Sequence, residues 1–183
     1  GNLQGTAGGA FAGGGATTTC NASGPATAVS LSAPRGVAVD ASGTVYIADS
    51  SRNCVRKVVG ATFSHVLGGG ATTTCNATGS ATAASLSAPN DVAVDGAGTV
   101  YVADTGRNCV RKVVGTTFSH VLGGGGTTAC TSTGAATAAS LSAPEGVAVD
   151  MAGRLVVVDR GRRCVRSVSG STYSQAALTG ANS

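Results

Sequence analysis

The 183-residue sequence repeats itself with a fixed step. Residues 86–113 read LSAPNDVAVDGAGTVYVADTGRNCVRKV; LSAPRGVAVDASGTVYIADSSRNCVRKV starts at Leu31 and LSAPEGVAVDMAGRLVVVDRGRRCVRSV at Leu141. For Pro34, Pro89 and Pro144, 89 − 34 and 144 − 89 both give 55. Cys54, Cys109 and Cys164 keep that step, as do Cys20, Cys75 and Cys130. A period of this length makes each copy one supersecondary unit, stable only when stacked on its neighbours.

Within the middle copy, the apolar run 92–94 ends at Asp95, and Gly96-Ala97-Gly98 forms a turn. A second β-branched and aromatic run, 100–103, ends at Asp104. A polar turn, a third run over 110–114, a break at Gly115 and a fourth run over 118–122 follow. Short apolar runs between Gly, Asn and Asp turns predict an antiparallel meander of four strands. No window carries a helical stripe. The fold class is all-β, and strands of this kind laid side by side are the logic of a propeller blade.

The pattern P-x-x-V-A-V-D-x-x-G-x-V-Y-V-A-D-T-G-x-N-x-V-R-K-V resembles the NHL repeat, a β-propeller blade module. The upstream G-P-A-T-A-x-S-L-S-A-P at 24–34 resembles the linker of one NHL subgroup. The resemblance covers the chain from about Phe11 onward and implies three 55-residue NHL-like blades. The absence of Trp sets the chain apart from WD and kelch blades. The expected division is a leftover outer strand and interblade loop at 1–30, blades with linkers at 31–85 and 86–140, and a third blade at 141–183. Closed propellers hold about four to eight blades, so this is read as a partial propeller. With no initiator Met, signal peptide or apolar run of membrane-spanning length, the sequence reads as a mature product, a fragment, or the ordered part of a longer chain.

The six cysteines fall in two registers: a turn between the second and third strands, and the interblade loop. In a four-stranded blade both connections emerge on one face, which predicts disulfides and an oxidising compartment. Cys20–Cys54, Cys75–Cys109 and Cys130–Cys164 use every thiol; Cys54–Cys75 with Cys109–Cys130 is the other pairing and leaves Cys20 and Cys164 for neighbouring subunits. With no C-x-x-C or Cys/His cluster, no zinc site is expected. Asn21-Ala22-Ser23 and Asn76-Ala77-Thr78 are N-glycosylation sequons at equivalent positions, replaced by Thr131 in the third copy. The flanking Thr tracts suit O-glycosylation.

The net charge of +4 comes largely from Arg52, Arg56, Lys57 and their counterparts Arg107, Arg111, Lys112 and Arg162, Arg163, Arg166. Some NHL propellers bind RNA on a basic face. Here aromatics make up 3% and none is interleaved with these charges, which argues against nucleic acid and for a solvated or sugar-facing rim. Asp40, Asp95, Asp150 and Asp49, Asp104, Asp159 end strands in every copy and are read as turn-capping architecture. His65 and His120 are expected on the surface of the outermost strand, with no metal role. Gly8–Ala12 aligns with Phe63–Leu67 and is read as a stray fourth strand.

No catalytic or cofactor-binding constellation is visible, so no enzyme activity and no cofactor are expected. The leading expectation is a non-enzymatic extracellular structural or adhesive glycoprotein that self-associates, as a ring or a surface filament. The third copy departs from the others at Arg154, Val156 and Arg160, as expected of a blade meeting a partner. The alternative is a recognition propeller for a protein or glycan ligand. A hydrolase or lyase with its active residues elsewhere is a third reading.

Overall fold

The structure is a computed structural model and describes residues 11–175. Three antiparallel five-stranded sheets follow one another, with no α-helix among the described residues. Each sheet has four main strands. The first are Pro34–Val39, Pro89–Val94 and Pro144–Val149. The second are Val45–Asp49, Val100–Asp104 and Leu155–Asp159. The third are Cys54–Val59, Cys109–Val114 and Cys164–Ser169. The fourth are Thr62–Gly68, Thr117–Gly123 and Thr172–Gln175. The three first strands lie side by side, so the sheets radiate from them as blades from an axis. These are the propeller blades that the strand pattern predicts.

The fifth strand is new. Gly24–Pro25, Gly79–Ser80 and Gly134–Ala135 pair with the fourth strand of the blade that follows them in sequence. A short 3-10 turn, Ala26–Ala28 in the first blade, then carries the chain inward to the first strand. The preceding segment packs against this turn: Gly70 donates its amide to Ala84 O at 2.8 Å. A Cβ on Gly70, or on its counterparts Gly15 and Gly125, would run into the backbone of this turn. The linker therefore belongs to the blade it precedes. The structural units run 24–68, 79–123 and 134–175, earlier than the divisions expected from the repeat alone. The stray strand expected at Gly8–Ala12 falls largely outside the described residues.

Asp shapes the first hairpins. Asp40 Oδ1 accepts amides from Ser42 and Thr44, both at 2.9 Å, which fixes the turn between the first and second strands. The Ser42 hydroxyl and these amides hold the Asp40 carboxyl down to about 2.

The core lies between blades. Tyr46, Ala48, Val55 and Leu67 of the first blade meet Ala81, Leu86, Val92 and Phe118 of the second. Ala103, Val110 and Leu122 meet Leu141, Val147, Val157 and Tyr173 in the same way. Mostly small side chains fill these interfaces, and burying a Val or Leu contributes about 1.5–3 kcal/mol. Polar ties add register. Ala88 is held in the left-handed region at φ 45°, and its amide donates to Asn53 Oδ1 of the preceding blade at 2.7 Å. Ala143 and Asn108 repeat this tie at the next junction.

Candidate functional site

Disulfides join Cys20 to Cys54, Cys75 to Cys109 and Cys130 to Cys164, with Cα atoms 6.1 to 6.2 Å apart. No free cysteine is found among the described residues. Each bridge ties the linker to the start of the third strand of its own blade. Cys54 lies opposite Asp49, and Asp49 lies opposite Pro34, so bridges and first-strand starts share one end of the molecule. Asn21 and Asn76, next to bridged cysteines, are exposed at this end.

One set of the repeated basic residues is buried and belongs to no solvated rim. Arg56, Arg111 and Arg166 are 1%, 0% and 0% exposed. Arg111 Nε lies 2.9 Å from Asp104 Oδ2, and its Nη2 donates to Thr73 O of the linker at 3.3 Å. Asp104 Oδ1 accepts the Ser87 amide at 2.7 Å. Burial pushes the Asp104 carboxyl up, while the Ser87 amide and Arg111 oppose it. Arg107 donates to Ser85 O and Ser85 Oγ, both at 2.8 Å. The guanidinium carbon of Arg111 sits 5.4 Å from the Phe118 ring centre. The same arrangement recurs around Asp49 and Asp159. A buried charge needs a partner, and here Asp at the end of the second strand supplies it. These Asp residues are architectural, as their repetition implies, but they do not cap the turn that follows them: they hold Arg and the amide of a Ser 17 residues back.

The histidines are also displaced from expectation. His65 and His120 are half-buried rather than surface residues, and burial lowers both imidazoles. His65 Nε2 contacts Gly68 O at 2.8 Å. Among the described residues no cluster of three or more His, Cys, Asp or Glu is arranged to hold a metal.

A polar group of side chains lies on the axis, where the first strands meet. Residues 31–58 and 86–113 differ at seven positions, and two of these change charge: Arg35 to Asn90 and Gly36 to Asp91. In the third copy the pair is Glu145 and Gly146. The first strands bring all three pairs together at the bridge end. Arg35 Nη1 donates to Asn90 Oδ1 at 2.8 Å, and Asn90 Nδ2 donates to Glu145 O at 3.1 Å. Asp91 Oδ2 accepts the Val147 amide at 3.0 Å. Arg160 Nη1 lies 3.3 Å from Glu145 Oε1. The three pairs, with Val158, line an open pocket of about 600 Å³. At the first position of each pair charge runs from positive to neutral to negative, and at the second Asp91 stands between two glycines. Gly36 is needed for close approach, because a Cβ there would collide with Asp91. Sequence reasoning missed this ladder. The signal was present in the two x positions after Pro, which vary in charge inside an otherwise uniform repeat.

The family model for the NHL repeat matches residues 31–58 and 86–113. No curated protein matches the sequence. Similar solved structures include an auxiliary nutrient binding protein from Bacteroides ovatus ATCC 8483, at 18% identity and TM-score 0.63, covering 79% of this chain and 39% of that one. Another, from Bacteroides thetaiotaomicron VPI-5482, shows 19% identity and TM-score 0.60, covering 75% and 37%. Virginiamycin B lyase from Staphylococcus aureus shows 13% identity and TM-score 0.52, covering 78% and 40%. At these identities the likeness is one of fold. The chain spans about two fifths of the length of these proteins.

Proposed function

The chain is an NHL-repeat β-propeller protein, and on that premise we propose that it is an extracellular recognition module that binds a protein or glycan ligand at the polar end of its axis. The observation that carries this reading is the charge ladder. The same blade is written three times, yet the axial position changes from Arg35 to Asn90 to Glu145. Architecture alone asks for identical residues at equivalent positions, as Asp49, Asp104 and Asp159 illustrate. Divergence in charge around a shared pocket is what binding a polar, asymmetric ligand requires. The fold is also that of proteins described as auxiliary nutrient binding. Three disulfides suit an oxidising, extracellular setting. Among the described residues no helix is long and apolar enough to cross a membrane. The reading is non-catalytic and cofactor-free, because the repeated carboxylates are committed to turns and buried arginines.

The test is a glycan microarray and a panel of immobilised secreted proteins, probed with the oxidised chain. Ligands captured by the parent are expected to be lost by Arg35→Ala and Glu145→Gln and kept by Lys112→Ala, a substitution remote from the axial end. Capture indifferent to both axial substitutions would place recognition elsewhere.

A further inference from the structure

A crevice opens where one blade meets the linker of the next, and it is repeated. The first, of about 410 Å³, is lined by Lys57, His65 and Val66 of the first blade and by Ala81, Thr82 and Thr116 of the second. The other, of about 360 Å³, is lined by their counterparts Lys112, His120, Val121, Ala136, Thr137 and Ser171. Each lies between two blades that the structure describes. The far wall is held by backbone: Ala81 donates its amide to Thr116 O, and Ala136 to Ser171 O, both at 2.8 Å. Ala81 and Val66 are buried and make the first crevice apolar inside. Hydroxyls stand at its mouth, where Ser80 Oγ lies 2.9 Å from Thr82 Oγ1.

The one permanent charge in each crevice is an ammonium. Lys57 and Lys112 are the only lysines in the chain. They lie opposite Tyr46 and Tyr101, on the face that meets the next blade, and both are half-buried. The buried arginines have Asp partners, but neither lysine has an ion-pair partner among the described residues. No Asp or Glu lines either crevice. In the third copy Ser167 and Gln175 replace Lys and His, so the two are kept or lost together.

We propose that each crevice binds a small hydroxylated carboxylic acid of the uronic acid kind. The carboxylate meets the lysine ammonium, the ring C–H groups lie on Val and Ala, and the ring hydroxyls meet the Ser and Thr of the mouth. One ammonium is a compact point charge, matched to one carboxylate; a phosphate dianion asks for more donors. The volumes fall at the small end of ligand pockets, about 300–1,000 Å³, which suits one sugar ring. Gly115 and Gly170, in the turns between third and fourth strands, line the two crevices, so these sites lie away from the disulfide end and the axial pocket.

Two lysines let the sites be read one by one. Reductive methylation with isotope-labelled formaldehyde keeps the ammonium charge, and Lys57→Arg and Lys112→Arg assign the two NMR signals. Titration of the oxidised chain with sodium glucuronate is expected to shift both signals and to saturate in the millimolar range. Glucose and acetate should give no saturable shift. Thr82→Val should weaken binding at Lys57 about three- to ten-fold and leave Lys112 unchanged, and Thr137→Val should do the converse. Both threonines are exposed, and circular dichroism checks that the fold is kept. A glucuronate titration without a shift, or one that acetate reproduces, overturns the proposal, as do threonine variants that leave both sites unchanged. Arg35→Ala should alter neither titration. Millimolar binding of a free acid is too weak for capture on an array, so this proposal and recognition at the axis fail separately.

Discussion

At the scale of single residues, the copies differ by exchanges that the structure makes chemically intelligible. Tyr46 and Tyr101 donate their hydroxyls to Asp40 and Asp95 at 3.2 and 3.3 Å. Val156 replaces this Tyr in the third copy, and Arg154 takes over, with Nε 2.9 Å from Asp150 Oδ2. Phe63 and Phe118 give way to Tyr173, whose new hydroxyl meets Ser132 Oγ at 2.7 Å where the other copies have Ala22 and Ala77. The departures at Arg154 and Val156 are therefore one local compensation and need no partner to explain them. The buried arginines are the opposite case, identical in every copy. Arg111→Met should destabilise the chain by about 3–5 kcal/mol, because it leaves Asp104 buried without its counter-charge. Urea unfolding of the oxidised protein measures this, and a loss below 1 kcal/mol would show that Asp104 is neutral or hydrated. The roles of Asp40, Asp95 and Asp150 were legible in the sequence because their turn partners lie two to four residues away; that of Asp104 was not, because Arg111 lies seven and Ser87 seventeen residues off. Nor was the burial of Arg111, because its carbonyl partner Thr73 lies 38 residues back in a linker with no strand signal.

At the scale of the element, strand number and order could be read from the period-2 runs, since each strand is bounded by its own turn residues. The extent of the blade could not. The linker reads as a loop in sequence because Gly, Ala and Thr carry no apolar alternation. Its place on the fourth strand comes from a two-residue pairing, such as Gly79 with Phe118. The disulfide then fastens it. Removing the middle bridge with Cys75→Ser and Cys109→Ser should lower stability by about 2–4 kcal/mol. The first and third bridges stay closed in that variant. Calorimetry of the oxidised variant against the parent checks this, and an unchanged transition would mean that Arg111 and Gly70 hold the linker without help.

At the scale of the whole molecule, bridges, sequons and the axial ladder share one end, while the Asp40 and Gly60 turns lie at the other. Sugars on Asn21 and Asn76 would stand around the axial pocket and limit which ligands reach it. Glycopeptide mass spectrometry of native material is expected to find N-linked sugar at both and none at Thr131; two bare asparagines would remove the sequons from the argument. The face these groups share was not legible from any one copy. It emerges when three first strands converge and bring residues 55 apart into hydrogen-bond reach. The bridges also set how the chain behaves under tension. Each one spans 34 residues, so a pulling force bypasses that loop and runs through the covalent link. Of each 55-residue step, 55 − 34 leaves 21 residues free to extend. A yielding blade thus releases roughly 70 Å of contour instead of roughly 190 Å. Three blades in series give a tether that lengthens in short, bounded steps, and relaxation returns each one to an already looped chain.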